Sequence, residues 1–320
     1  MAGLVQGQPW LGQLTGGTRL AVLGSPIAHS KSPALHRAAY RTLGLNWSYD
    51  AIEVKRDALA DFVASRDEEW RGLSLTMPLK RDVLPLLDSR DAVVDAAGGA
   101  NTLLFDFGRS GQSSAAPAVR GYNTDVYGVV AAFARAGVSE VDSVHILGGG
   151  ATAASVLVAV HRMGARRARV SVRTPSKAMP LVKLGQRLGV VVRIGSLGDD
   201  GGAAGGARDD ADSAGEPDDA DAVISTLPGD AAGTLAAAHA GAIFSEQTRR
   251  RAVLLDVSYD PWPSVLAERW QEVGGTVIPG TEMLLQQAVA QIRIFLSGNP
   301  EARLPDEESV VASMRAALDR

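Results

Sequence analysis

The chain contains no cysteine. Disulfides, thiolate nucleophiles and cysteine zinc ligands are therefore excluded. Aromatic residues are scarce, at 5% of 320 positions, so alanine, valine and leucine must supply most of the packing. No apolar run approaches the length of a membrane span. The opening residues lack a basic stretch followed by an apolar core, so they do not read as a secretory signal. A loose tail over residues 1–18 and a cytoplasmic protein are expected. The five histidines, His29, His36, His145, His161 and His239, show no tight metal-ligand spacing, and no metal is expected. The formal charge of −4 gives no sign of nucleic-acid binding.

What is present is more instructive. Apolar residues make up 46% of the chain, and its length suits two domains of ordinary size. Nine of the 36 acids and one of the 32 bases lie between Gly198 and Ala222. The remainder is mildly basic, which suits small anionic ligands. The acidic, glycine-rich segment 198–220 cannot bury enough apolar surface to order itself and reads as a solvated insert. Its removal is expected to leave activity intact.

Strand-like and helix-like runs alternate along the chain. Strands are predicted at 19–23, 48–54 and 72–76, with helices at 33–43 and 56–65. Residues 106–119 read as a surface hairpin tip or loop. Further on, a helix is expected at 126–136, then strands at 144–147, 168–172, 190–194, 222–226 and 253–257, and a last helix at 283–296. Such alternation argues open α/β sheets with crossover helices.

Two loops stand out. Gly24-Ser25-Pro26-Ile27-Ala28-His29-Ser30-Lys31-Ser32-Pro33 follows a buried strand and opens a helix. Ser32 stands at the expected N-cap and Pro33 at the first helical position. Ser30 and Ser32 then sit at the positive end of a helix, which favours a carboxylate or phosphate. Gly148-Gly149-Gly150-Ala151-Thr152-Ala153 fits Gly-x-Gly-x-x-Ala between a strand and a helix. The first glycine allows the tight turn, the second admits a pyrophosphate, and the small third residue lets helix and strand pack closely. The next strand ends at Val172, followed by Arg173, Thr174 and Lys177, where NAD-binding chains usually place an acid. An acid would repel a 2′-phosphate, whereas Arg173 and Lys177 attract one. NADP is therefore expected rather than NAD.

Three further segments complete the pattern: Leu75-Thr76-Met77-Pro78-Leu79-Lys80, Gly99-Ala100-Asn101-Thr102-Leu103 and Gly121-Tyr122-Asn123-Thr124-Asp125. With the two loops, and in this order, they resemble the shikimate dehydrogenase family from about residue 19 to about 297. The resemblance implies an N-terminal substrate domain (19–122), a Rossmann NADP-binding domain (123–279) and C-terminal helices (280–320) that return to the first domain. It implies reduction of 3-dehydroshikimate to shikimate by NADPH in aromatic amino-acid biosynthesis, by a monomer or homodimer whose domains close around the substrate. Lys80 matches the family's catalytic lysine and Asp125 its paired aspartate, groups suited to moving the hydroxyl proton. Ser30, Ser32, Thr76, Asn101, Tyr259 and Gln287 match substrate positions. Thr226, Val257 and Gly280 join Gly148, Gly149, Gly150, Ala151, Thr152, Arg173, Thr174 and Lys177 around the cofactor.

Departures from the family are few. Ser74 stands where the family often has asparagine, Val172 replaces another asparagine, and Ala151 often corresponds to glycine. Quinate-preferring relatives tend to carry threonine where Ser32 stands, so Ser32 leans towards shikimate, modestly, since a methyl group is a small difference. The alternatives are a quinate/shikimate or aminoshikimate dehydrogenase and a non-catalytic paralogue that binds NADPH or a shikimate-like acid. A folate-linked methylene dehydrogenase fits the serine loop and the Asn101 and Asp125 motifs poorly.

Overall fold

The computed structural model describes residues 17–107, 117–197, 220–228 and 244–318. Most of the expected tail, most of the 106–119 loop and nearly all of the acidic insert 198–220 lie outside the described residues. The chain divides into two compact units. Unit 1 comprises Met1–Arg90, Ala100–Tyr122 and Gln291–Arg320, and unit 2 comprises Asp91–Gly99 and Asn123–Ala290. Both are α/β.

Unit 1 is built on β1 (Thr18–Gly24), β2 (Trp47–Glu53), β3 (Trp70–Leu75), β4 (Ser89–Arg90), β5 (Thr102–Asp106) and β6 (Ala118–Tyr122), in the order β2-β1-β3-β5-β6-β4. Strand β1 pairs in parallel with β2 and β3, whereas β5 runs antiparallel to both β3 and β6. Leu20 to Leu23 are buried without alternation because β1 is an inner strand covered on both faces. Edge strand β2 begins with alternating burial, as a half-exposed strand should. Helix α1 (Ser32–Thr42) packs against the terminal helix. The predicted helix at 56–65 resolves into a 3-10 turn, Arg56–Ala58, and the short α2 (Leu59–Ala64).

The start of α1 corrects the expected cap. Lys31, not Ser32, occupies the cap position and makes no side-chain capping bond. The Ser32 N–H donates to Ser30 Oγ at 3.3 Å, so the upstream hydroxyl meets that donor and the helix begins one residue earlier. Pro33 therefore falls at the second helical position.

Unit 2 contains α3 (Ala92–Ala97), α4 (Asp125–Arg135), β7 (Ser143–Leu147), α5 (Ala151–Arg162), β8 (Arg167–Val172), α6 (Met179–Leu188), β9 (Val191–Ser196), β10 (Ala222–Ser225), α7 (Glu246–Arg251), β11 (Val253–Asp256), α8 (Val265–Gln271) and β12 (Val277–Pro279). Its sheet is wholly parallel in the order β12-β11-β10-β7-β8-β9. Counted within the unit, this is the doubly wound order 3-2-1-4-5-6. Val144 and Ile146 pack with Val156, Leu157 and Val160 of α5, while Leu147, Val223 and Leu254 pack with Phe244 and Trp270. Burial on both faces explains why these strands are mostly apolar, with buried His145 the exception in β7.

Helix α9 (Gly280–Ser297) begins in unit 2, and its residues from Gln291 onward belong to unit 1. Helix α10 (Glu307–Leu318) follows it and packs on α1, with the Thr42 hydroxyl donating to Ser313 Oγ at 2.9 Å.

Candidate active site

In unit 1 the candidate substrate groups gather around the ends of β1, β3 and β5. Gly24 makes this approach possible: a Cβ there would lie 2.4 Å from Thr76 Cγ2. The Ser25 N–H donates to the Met77 carbonyl at 3.1 Å, and the Thr76 N–H donates to the Leu23 carbonyl at 2.9 Å. The turn then carries Lys80, whose carbonyl accepts from the Ala100 N–H at 2.8 Å. Lys80 does not open a helix. Residues 77–83 are instead a run of turns that leads into the 3-10 turn Leu84–Leu86.

Asn101 is fixed from both sides. Its N–H donates to the Tyr122 carbonyl at 3.0 Å, and its carbonyl accepts from the Leu75 N–H at 2.8 Å. Its side chain is buried, and Asn101 Oδ1 accepts from the Thr102 hydroxyl at 2.8 Å. Thr76, Lys80 and Asn101 are thus joined through the backbone of three strand ends, and Lys80 is half-buried. Ser30 is half-buried and Ser32 buried, both at the start of α1.

In unit 2, Asp125 is the first residue of α4 and is 4% exposed. A carboxylate there is favoured by the helix N-terminus. Asn123 sets the position: its Oδ1 accepts from the Asp125 N–H at 3.1 Å, while its Nδ2 donates to the Gly99 carbonyl at 2.8 Å and Ser155 Oγ at 3.0 Å. Gln287 on α9 is buried, with Oε1 accepting from the Thr124 hydroxyl at 3.3 Å and Nε2 donating to the Leu284 carbonyl at 2.8 Å. Tyr259, half-buried, lies in the loop after β11. Ahead of it stands Asp256, which accepts from the Ser258 N–H and the Ser264 hydroxyl. Burial holds the Asp256 carboxyl above the usual carboxylate range.

The glycine turn after β7 fits a dinucleotide. Gly148 has φ +105, and a Cβ there would lie 2.5 Å from Thr226 Oγ1, so only glycine is accommodated. Thr226 in turn donates its hydroxyl to the Leu147 carbonyl at 2.9 Å. Gly149 lies against Val172, while a Cβ on Gly150 would meet open space. Gly150 caps α5 and brings no side chain to the first-turn N–H groups of Ala151 and Thr152. That end of the helix favours a phosphate. Arg173, Thr174 and Lys177 are all exposed after β8, with the 3-10 turn Pro175–Ala178 holding Lys177 in place. Val257 is half-buried beyond β11, and Gly280 opens α9 over its carbonyl. Val172, the last residue of β8, is buried. These residues fit NADP.

Several supporting residues were not singled out from sequence: Asn123, Ser155, Thr102 and, above all, Gln291. Asn123 and Thr102 stand inside the quoted motifs, beside the residues they hold. Gln291 carries no motif, and only its inward place on α9 betrays it. Among the described residues no acid and histidine cluster could hold a metal, and no helix is long and apolar enough to cross a membrane.

A doubly wound sheet with a glycine turn and a cationic loop, joined to a second α/β unit that carries a lysine and an amide, defines a nucleotide-linked oxidoreductase of two α/β units. Residues 22–103 match the model of the shikimate dehydrogenase substrate binding domain. The chain is 31% identical over 291 residues to shikimate dehydrogenase (NADP(+)) of Methanothermobacter thermautotrophicus, spanning 90% of this chain and 94% of that one. It is similar to the crystal structure of a shikimate 5-dehydrogenase from Mycobacterium fortuitum, with 37% identity, a TM-score of 0.71, and 94% and 98% of the two chains covered. It is also similar to the Thermus thermophilus shikimate 5-dehydrogenase crystallised with NADP(H) and shikimate, with 25% identity, a TM-score of 0.69, and 94% and 99% covered. The chain belongs to the shikimate dehydrogenase family.

Proposed function

We propose that this chain catalyses the reversible, NADPH-dependent reduction of 3-dehydroshikimate to shikimate, as a cytoplasmic enzyme of aromatic amino-acid biosynthesis. The observation that carries the reading is the joining of Thr76, Lys80 and Asn101 at the ends of β1, β3 and β5, in a chain with the family's five ordered motifs. Ser30 and Ser32 receive the substrate carboxylate at the start of α1. Thr76, Asn101 and Gln287, which can donate and accept, hold the hydroxyls, and Tyr259 lines the substrate. The amides of Ala151 and Thr152 hold the pyrophosphate, and Arg173 and Lys177 the 2′-phosphate.

NADPH, when bound, supplies the hydride. The oxygen that gains negative character then needs a proton. Lys80 Nζ delivers it, with Asp125 as the paired acid–base group. In the reverse direction the same groups take the hydroxyl proton away.

A steady-state assay tests this reading. Nicotinamide absorbance is followed with shikimate or quinate, each paired with NADP⁺ or NAD⁺. Strong turnover with shikimate and NADP⁺ alone is expected. Preference for quinate or NAD⁺ would overturn the roles given to Ser32 or to Arg173 and Lys177. Folded protein that binds NADPH without turning over any pair would make the chain a binding protein.

A further inference from the structure

Behind Asn101, a buried chain of hydrogen bonds runs through unit 1. Gln291 is at its centre and is 2% exposed. The Ser74 hydroxyl donates to Gln291 Oε1 at 3.1 Å and itself accepts from the Tyr49 hydroxyl at 2.7 Å. His36 Nε2 lies 3.2 Å from the same Oε1, and His36 Nδ1 lies 3.0 Å from the Tyr40 hydroxyl. An amide oxygen only accepts, so Nε2 carries the imidazole proton and Nδ1 accepts from Tyr40. The Asn101 backbone carbonyl can only accept, so the end of the Gln291 amide that faces it and Thr102 is Nε2.

Gln291 Nε2 donates to Thr102 Oγ1 at 3.1 Å and to the Asn101 carbonyl at 3.4 Å. Having accepted there, the Thr102 hydroxyl directs its own proton elsewhere, and it donates to Asn101 Oδ1 at 2.8 Å. Every donor from Tyr49 and His36 onward therefore points towards Asn101. The Thr102 hydroxyl on Oδ1 fixes which end of the Asn101 amide is the acceptor and which, Nδ2, is the donor.

We infer that Gln291 and Thr102 are positioning residues: they lock Asn101 in the amide orientation that offers N–H to the substrate, so the hydroxyl it meets is held as an acceptor. This rests on the reading that Asn101 touches the substrate. Ser74, where the family often has asparagine, takes part in this relay.

The test compares Thr102→Val, Thr102→Ser, Asn101→Ala, Gln291→Met and the double variant N101A/T102V in the full chain, after circular dichroism confirms folding. Thr102→Val keeps the volume and removes the hydroxyl. It is expected to raise KM for 3-dehydroshikimate about tenfold, the worth of one well-placed hydrogen bond, with a smaller change in kcat and none in KM for NADPH. Thr102→Ser restores the wild-type KM, Gln291→Met follows Thr102→Val, and T102V adds nothing in the N101A background. A wild-type substrate KM in folded Thr102→Val overturns the inference. So does an equal further rise when T102V is added to N101A, or a Thr102→Ser variant as impaired as Thr102→Val, since either outcome marks a packing effect. If Asn101→Ala itself keeps the wild-type substrate KM, the role of Asn101 falls and the relay with it. If Asn101→Ala raises KM but Thr102→Val does not, the relay alone falls. Should Gln291→Met fail to fold, the Thr102 pair decides.

Discussion

The two units hold their candidate ligand groups by opposite means. In unit 1 the polar side chains are anchored from behind: Asn101 is tied to Thr102, Gln291 and, through them, to Ser74 and His36. In unit 2 the candidate cofactor groups are a glycine turn, a helix N-terminus capped by a glycine and two exposed cations. The lesson is one of precision. A substrate with several similar hydroxyls needs donors and acceptors of fixed polarity, which a buried network supplies. A pyrophosphate needs close backbone approach and positive potential, which glycine and exposed basic side chains supply.

The strongest challenge to this division is Lys80→Ala. Loss of the proton donor is expected to lower kcat by about 10²–10⁴-fold. NADPH affinity, followed by fluorescence titration, should not change, because Lys80 belongs to unit 1 and the cofactor groups to unit 2. Retained turnover in folded protein would remove Lys80 from the chemistry.

The R173A/K177A double variant probes the other unit. Loss of charge-assisted contacts to a 2′-phosphate should raise KM for NADPH about 10–100-fold. KM for NADH and the melting temperature should stay put, since both side chains are exposed. An equal loss with NADH would show that the two cations serve the cofactor generally and do not discriminate.

Legibility in the sequence follows the same division. The sheet of unit 2 could be read directly, because its central strands are mostly apolar on both faces and its glycine turn has a steric cause at Gly148. Unit 1 was legible in its motifs but less so in its joints. Ser32 looked like a cap, yet the Ser30 hydroxyl reaches its N–H first. Strand β4 and helix α3 were not foreseen, since two-residue and six-residue elements carry almost no periodicity. The relay through Gln291 joins residues 255 and 190 positions apart, and no local pattern encodes such a meeting.

Among the described residues each unit buries one histidine, and the pair gives the finest test. Burial pulls His36 and His145 down to about 3. In the unfolded chain both titrate near 6.5, so between about 6.5 and 3 the unfolded state binds the extra protons. The stability tied to the neutral rings is present above about pH 6.5 and is lost as pH falls towards 3. Well inside that window each histidine contributes a slope of about 1.4 kcal/mol per pH unit. His36→Leu and His145→Leu should each remove one such slope in urea unfolding followed between pH 6.5 and 5. At pH 7.5 the two should differ. His36 has both ring nitrogens engaged, with Tyr40 and Gln291, so its loss strands two buried partners and costs about 1–3 kcal/mol. His145 engages only Ser171, and its Nδ1 has no partner among the described residues, so leucine there removes a buried unmet group and should cost much less. Equal costs at pH 7.5 would show that the ring of His36 matters for its packing on Tyr49 and not for the network it anchors.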